Sequence, residues 1–513
     1  MSVSVNETEA KYEADPDTVL PPLDDLPQVA GTTQPPAQML EAVYFDTPDL
    51  RLLRAGITLR RRTGGGDAGW HLKLPVGART REEVRLPLDS APSPQGVPHE
   101  LAKLVRARCR GAVLAPVATV TTHRQTVNLL DATGRVLAEV ADDRVNAARP
   151  HDPGAADSWR EVEVELAEGG TDLLLAVDEL LRQHGLHPSA RSAKLERVLG
   201  SELTAANAQA APTTGAQAHR VVTAYLAAQA EELTALDPMA RRFQPDSVHR
   251  MRVATRRVRS TLRTFDAVLR PDATEHIGGE LKWLGDVLGQ VRDAEVLAAH
   301  MRAHQEQTDV AQLLGPVSAR IEAHFARAGA DGRAAVLAAL DSKRYTDLLT
   351  ELDTLIADPP LGRAGEEATG VALAAAVADS YRTTRRRMRR ALAAPPGQGR
   401  AAALHQARKS AKRTRYAAEA VSSVAGQDAR RFAAQMQKVQ SVLGDHQDTV
   451  IARELERSLG VAAHLAGENA FSYGLFYERD VCDARTLQDL ALKIWRNSSR
   501  RRYRRWLAGA LGC

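Results

Sequence analysis

The chain has 513 residues, with 68 Lys and Arg against 64 Asp and Glu and a formal net charge of +4. Its length allows two to four domains, each able to bury a core. Its three cysteines, Cys109, Cys482 and Cys513, exclude a disulfide framework and a CxxC metal knuckle, which fits a reducing cytosol. The start of the chain lacks a basic and then apolar leader, and no window approaches 18 uninterrupted apolar residues, so a cytoplasmic protein with no membrane partner is expected. Charge is unevenly spread: residues 1–205 hold 23 basic against 30 acidic residues, and the remainder 45 against 34. An acidic front and a basic back predict separate domains with different electrostatic tasks.

Up to about residue 200, short alternating runs separated by turn residues predict an antiparallel β domain. The runs are Val3–Tyr12, Ile57–Arg62, Trp70–Leu74, Thr80–Leu88, Ala118–Leu129, Val136–Ala141 and Trp159–Leu166. Helical spacing of Leu and Val over Asp172–His184 adds one helix. Alternate residues of a strand share a face, so Glu7, Glu9 and Lys11 point one way, as do Glu161, Glu163 and Glu165. Arg60 pairs with Arg62 in the same sense, and Arg81 with Glu83. Lys73, Arg124 and Lys194 complete the basic set, with Asp143, chosen over Asp142 on strand register, as a further carboxylate.

Each charged face, read alone, is the solvent side of a half-buried sheet. Together they suit another purpose. Adjacent carboxylates are the oxygen donors a hard divalent cation takes, and Arg and Lys suit the acceptor oxygens of a phosphate chain. Strands closed into a barrel with these charges inward would hold both.

The stretch from Ala205 to Gln217 is small and polar with one proline, and reads as a linker. From residue 218 onward, Ala, Leu, Arg and Glu recur with helical spacing, which predicts an all-helical domain. Two helices carry the same basic ladder 156 residues apart. The first holds His249, Arg252, Arg256, Arg257, Arg259 and Arg263; the second holds His405, Arg408, Lys409, Lys412, Arg413 and Arg415. Offsets of 0, 3, 7, 10 and 14 keep such side chains on one helical face, with Met251, Val258, Leu262 and Phe265 roughly opposite. Stacked like charges repel, so a multivalent anion is the natural partner. Leu288-Gly289-x-x-x-Asp293 recurs as Leu443-Gly444-x-x-x-Asp448, which predicts two repeats of about 218–360 and 366–513. The glycines suit a close helix approach, and the aspartates suit orienting ladder arginines. Two other basic runs, Arg382–Arg390 and Arg500–Arg505, read as a groove extension or a solvated tail. A nucleic-acid partner is not expected.

The Glu7-Thr-Glu9-Ala-Lys11 motif, the YFDTPDLRLLRAGITLRRR stretch, Lys73, the Arg81–Glu83 pair and the EVEVEL strand resemble the CYTH family, or triphosphate tunnel metalloenzymes. The resemblance covers residues 1–204 and implies an eight-stranded antiparallel β tunnel that hydrolyses triphosphates. It implies catalytic Glu7, Glu9 and Lys11, with Mg²⁺ or Mn²⁺ on Glu7, Glu9, Asp143, Glu161 and Glu163. Lys11, Arg60, Arg62, Lys73, Arg81, Arg124 and Lys194 would hold the triphosphate. His71 and Ala193 stand where hydroxyl residues are common in the family. Glu165 and Glu83 are candidates for a general base.

The two ladders over residues 218–513 resemble the CHAD family of α-helical domains associated with inorganic polyphosphate. That resemblance implies a basic groove lined by His249, Arg252, Arg256, Arg259, Arg263, His405, Arg408, Lys412 and Arg415. The expected architecture is therefore α+β and multidomain. The expected function is metal-dependent triphosphate hydrolysis with polyphosphate binding; the alternatives are a non-catalytic polyphosphate-binding or targeting protein and an adenylyl cyclase acting on ATP. No GxxxxGK[ST], GxSxG or HExxH motif supports another phosphate or hydrolase chemistry.

Overall fold

A computed structural model describes residues 3–77, 79–93, 96–150, 152–191, 193–203, 217–367 and 369–508. The expected linker lies outside the described residues apart from Gln217. The chain divides into two compact units, Met1–Gln209 and Ala210–Cys513.

The first unit contains strands β1 (Val3–Ala14), β2 (Gly31–Thr33), β3 (Gln38–Asp46), β4 (Thr58–Thr63), β5 (Gly69–Pro75), β6 (Thr80–Leu86), β7 (Ala115–Leu130), β8 (Val136–Arg149), β9 (Asp152–Leu166) and β10 (His187–Pro188). Its helices are α1 (Arg51–Arg54), α2 (His99–Cys109), α3 (Thr171–Gln183) and α4 (Lys194–Leu203). Eight strands run β1-β6-β5-β4-β3-β7-β8-β9, and β9 pairs back onto β1. Every pairing is antiparallel, and the ring leaves no edge among these eight strands. Short β2 rests on β7 and β10 on β1.

The apolar core lies outside this ring. Tyr12, Val140, Val162 and Val164 pack under Leu173, Leu174, Val177 and Leu181 of α3. Leu59, Trp70, Leu72 and Val84 meet Leu101, Leu104 and Val105 of α2. Ala118, Val145 and Trp159 meet Leu195, Val198 and Leu199 of α4. With one face of each strand committed to those layers, strand parity turns the intervening charged residues inward. The barrel interior is therefore polar.

The sequence reading did not single out β3, α2 or α4. In β3, Leu40, Ala42, Tyr44 and Phe45 are all buried while Val43 is half-buried, so apolar residues occupy both faces and the alternation is lost. Strands β8 and β9 also extend further toward their shared turn than Val136–Ala141 and Trp159–Leu166 suggest.

The second unit is helical among its described residues: α5 (Ala218–Arg241), α6 (Ser247–Thr264), α7 (Pro271–Glu306), α8 (Val317–Leu340), α9 (Lys343–Ala357), α10 (Thr369–Ala393), α11 (Gln398–Ala420), α12 (Ser422–Leu465), α13 (Phe471–Ser498) and α14 (Arg505–Ala508). Successive long helices pack in the same order twice, α5-α6-α7-α8 and α10-α11-α12-α13. Corresponding helices also meet, α5 with α10, α6 with α11 and α7 with α12. Met251, Val258, Leu262 and Phe265 are buried, which leaves the arginine face of α6 to meet α11. No described helix is long and apolar enough to cross a membrane.

Candidate functional site

Inside the barrel is a cavity of about 530 Å³, in the size range of small-molecule sites. Glu7, Glu9, Lys11, Arg60, Arg62, Lys73, Arg81, Glu83, Arg85, Arg124, Glu163, Glu165 and Lys194 all line it. They arrive from β1, β4, β5, β6, β7, β9 and the first residue of α4. Register explains their grouping: Lys11 stands opposite Glu163, Glu7 opposite Arg81, Arg124 opposite Asp143 and Lys73 opposite Glu83.

Behind one wall, Asp143 and Glu161, which do not line the cavity, meet Glu163, which does, and the three bring carboxylate oxygens within 4.8 Å of one another. Lys194 Nζ sits among them, 2.9 Å from Asp143, 2.7 Å from Glu161 and 2.8 Å from Glu163. Arg124 donates Nε and Nη2 to Asp143 at 2.8 and 2.6 Å, and Nη2 also to Glu163 at 2.6 Å. Lys11 bonds Glu163 and lies 3.1 Å from Glu9. Burial pushes the Asp143 carboxyl up, but Lys194 and Arg124 outweigh it and hold the group below the usual carboxylate range. Burial likewise opposes the charge on Lys194, and the three carboxylates hold its pKa well above the ordinary lysine value. The ammonium stands in for a cation: an all-oxygen donor set of this kind fits a hard divalent ion. Asp142 lies on the other face of β8 and binds Arg160.

The other expected metal carboxylates have different partners. Glu7, 3 % exposed, accepts from Lys73 Nζ at 2.5 Å and from Arg85 Nη2 at 2.8 Å. Glu9 faces Lys11 and, at 4.0 Å, Arg81. Arg85 was missed from the sequence although it follows Glu83 at the same parity. His71 occupies the hydroxyl position and is buried, its Nδ1 2.9 Å from Glu83 Oε1 and its Nε2 2.9 Å from the Asp67 carbonyl. Burial pushes the His71 pKa down to about 4, leaving it neutral. Glu83 is held far below the carboxylate range because His71 and Lys73 outweigh its burial. Glu165 differs: burial and then the neighbouring Glu7 push it up to about 7.

Two arginines have unused donors. The Nε atoms of Arg60 and Arg62 are buried with no hydrogen-bond partner. Burial, with Arg60 and Arg124 nearby, pushes the Arg62 pKa down to about 9 even though the side chain touches Asp67. Added negative charge would stabilise this wall.

In the helical unit the ladders converge. Burial, with Arg256, Arg408 and Arg252 close by, pushes the Lys412 pKa down to about 6. Burial, Arg252 and Arg408 likewise disfavour the charge on Arg256. Arg259 and Arg413 are depressed by burial and, next, by Arg263. His249 and His405 are half-buried, and burial lowers both. Arg415 is more fully neutralised: it shares Glu419 with Arg257. The repeated Leu-Gly-x-x-x-Asp element lies against the ladders. A Cβ on Gly289 would stand 3.0 Å from Arg252 Nη2, and one on Gly444 3.3 Å from Arg408 Nε. Arg252 also donates to Asp293 at 2.7 Å.

Family models match at the CYTH domain, residues 6–195, and the CHAD domain, residues 224–457. The uncharacterized protein Rv2226 of Mycobacterium tuberculosis (strain ATCC 25618 / H37Rv) is 38% identical over 490 residues, 92% of each chain. A counterpart from strain CDC 1551 / Oshkosh is 37% identical over the same length. Among solved structures, PptA from Streptomyces chartreusis aligns with 55% of this chain and 100% of its own, at 19% identity and a TM-score of 0.47. The CHAD domain from the plant Ricinus communis covers 58% of this chain and 94% of its own, at 25% identity and a TM-score of 0.40. The two family models and the relatives matched over 92% of their length agree: the chain belongs to the family that joins a CYTH domain to a CHAD domain.

Proposed function

We propose that the barrel hydrolyses inorganic or organic triphosphates with Mg²⁺ or Mn²⁺, and that residues 218–513 bind polyphosphate along the two ladders. The observation that carries the first reading is the inversion of the barrel, with apolar residues outside and acids and bases alternating inside. Such an interior is costly unless its charges are paired or serve a ligand.

The roles divide by position. Asp143, Glu161 and Glu163, with Glu7 and Glu9 as the further carboxylates, would hold the divalent cation, which when bound supplies charge neutralisation on phosphate oxygens and Lewis-acid polarisation. Arg60 and Arg62 offer unused N–H donors to a phosphate chain, and Lys73, Arg81, Arg85 and Arg124 flank them. Lys11 and Lys194 orient the carboxylates and stand ready to bind phosphate oxygen themselves. Glu165, without a cation partner among the described residues, is the better placed of the two base candidates; Glu83 is tied to His71, Lys73 and Arg85. Tyr44 is the single aromatic ring among the described cavity-lining residues, and its hydroxyl faces Arg60. That favours phosphate recognition over stacking of a nucleobase, and so triphosphate hydrolysis over cyclisation of ATP.

Phosphate release from tripolyphosphate, thiamine triphosphate and ATP, each with Mg²⁺ and Mn²⁺, tests the assignment. Release from at least one substrate, dependent on the metal, is expected. Cyclic AMP formation without release would favour the cyclase reading, and binding without turnover the non-catalytic one.

For the helical unit, burial and the nearby Arg252 and Arg408 disfavour the charge on Arg256 and Lys412, and a polyanion would relieve that repulsion and release counterions. Binding should weaken steeply with salt, and polyphosphate should outcompete nucleic acid at equal charge.

A further inference from the structure

The helical unit buries a second cluster of ionisable groups, separate from the ladders. His300 and His304 lie one turn apart on α7, Glu456 comes from α12 and Asp480 from α13. Glu456 and Asp480 are 0 % exposed and His304 4 %. One donor atom from each of the four lies within 4.8 Å of the others. His300 Nε2 is 2.9 Å from both Asp480 oxygens and 3.0 Å from His304 Nε2. His304 Nε2 is 3.3 Å from Asp480 and 3.8 Å from Glu456.

The donor set and its burial suit a cation. Both Glu456 carboxylate oxygens are buried with no N–H or O–H donor on them, and their close neighbour is a second carboxylate, Asp480, an arrangement that ordinarily destabilises a fold unless a proton or a cation is shared between them. Two imidazole nitrogens and two carboxylates aim at one point. Ligands about 2.0–2.1 Å from a tetrahedral zinc-like ion stand about 3.3 Å apart; the separations among His300, His304 and Asp480 and from His304 to Glu456, 2.9–3.8 Å, bracket that edge, and all four donors lie within 4.8 Å of one another. One side is apolar, where Phe476 stacks on His304 and Met301, Leu459 and Tyr473 belong to the adjoining core cluster; on another, Arg479 stands 3.5 Å from His304 Nδ1.

We propose that His300, His304, Glu456 and Asp480 bind one divalent transition-metal ion of the zinc class, bracing α7 of the first helical half against α12 and α13 of the second. Mixed imidazole and carboxylate donors select such an ion over Mg²⁺ or Ca²⁺, which take oxygen alone. The site therefore differs in chemistry from the all-oxygen wall of the barrel and does not depend on the function proposed for it.

The test is titration of the full chain, stripped with chelator, with Co²⁺ in excess Mg²⁺, which saturates oxygen-only sites. One equivalent should bind with the visible absorption of a four-coordinate nitrogen–oxygen site, be displaced by Zn²⁺, and slow amide exchange in α7, α12 and α13. Glu456→Gln, nearly isosteric, should weaken Co²⁺ binding at least ~10-fold while circular dichroism stays unchanged, and His300→Ala should do the same. Absence of a saturable Co²⁺ spectrum in the unmutated chain overturns the proposal, as does an unaltered spectrum in both folded variants. Should either variant unfold, the unmutated chain decides by whether Zn²⁺ protects the three helices.

Discussion

Lys412 concentrates the electrostatic problem of the helical unit. Its pKa in the folded chain, about 6, lies below the ordinary 10.5, so between those values the unfolded chain holds more protons. Stability therefore rises with pH across that window. A bound polyanion restores the charge, so binding takes up a proton and affinity falls as pH climbs above 6. Calorimetry of polyphosphate binding at pH 7.5, in two buffers of different ionisation enthalpy, should show an uptake of about one proton, because a pKa near 6 leaves the free amine mostly neutral there. Lys412→Met should abolish it; equal heats in both buffers for the unmutated chain would contradict the account. Gly289 makes a complementary case. A methyl there meets the far end of the Arg252 side chain, which can swing away, and alanine gains about 0.5–1 kcal/mol of helix preference. Gly289→Ala should thus keep or raise the unfolding midpoint yet weaken polyphosphate binding several-fold, which melting and binding curves on one preparation would check.

Strands and helices show what local pattern can and cannot reveal. Strand β9 was legible because charged and apolar residues alternate along Glu161–Leu166, and β1 and β6 because charged residues recur at every second position, Glu7, Glu9 and Lys11 in one and Arg81, Glu83 and Arg85 in the other. Strand β3 was not, because Val43, Tyr44 and Phe45 put apolar residues on both faces. The closure of β9 onto β1 and the Lys73–Glu7 pair join segments remote in sequence, and no local spacing encodes them. The ladder helices were legible because charge repeats every three or four residues, and the duplication pointed to the glycines that receive Arg252 and Arg408. The His300, His304, Glu456 and Asp480 cluster was hidden: its histidines are one turn apart, but its acids come from two distant helices. In the barrel, Glu163 ties strands together by serving Lys11, Lys194 and Arg124 at once. Glu163→Gln leaves three cations short of negative charge and should cost about 3 kcal/mol, the lower end for a broken buried pair. Denaturant unfolding measures it, and an unchanged midpoint would mean the tunnel charges are fully solvated.

For the whole chain, covalent linkage of a polyphosphate-binding unit to a hydrolytic one would raise the local concentration of long phosphate chains. Deleting residues 218–513 should then slow hydrolysis of long polyphosphate more than that of tripolyphosphate; equal effects on both would argue for independent units. The central claim, that converging tunnel acids and bases perform metal-dependent hydrolysis, is tested most directly by phosphate release from tripolyphosphate with Mn²⁺, comparing the unmutated chain with Glu7→Ala plus Glu9→Ala. Release that requires the metal and falls at least ~100-fold in the folded double variant, on the order of 3 kcal/mol in the barrier, is the predicted result. Release unaffected by the double substitution, or none from the unmutated chain with any triphosphate and either metal, would contradict it.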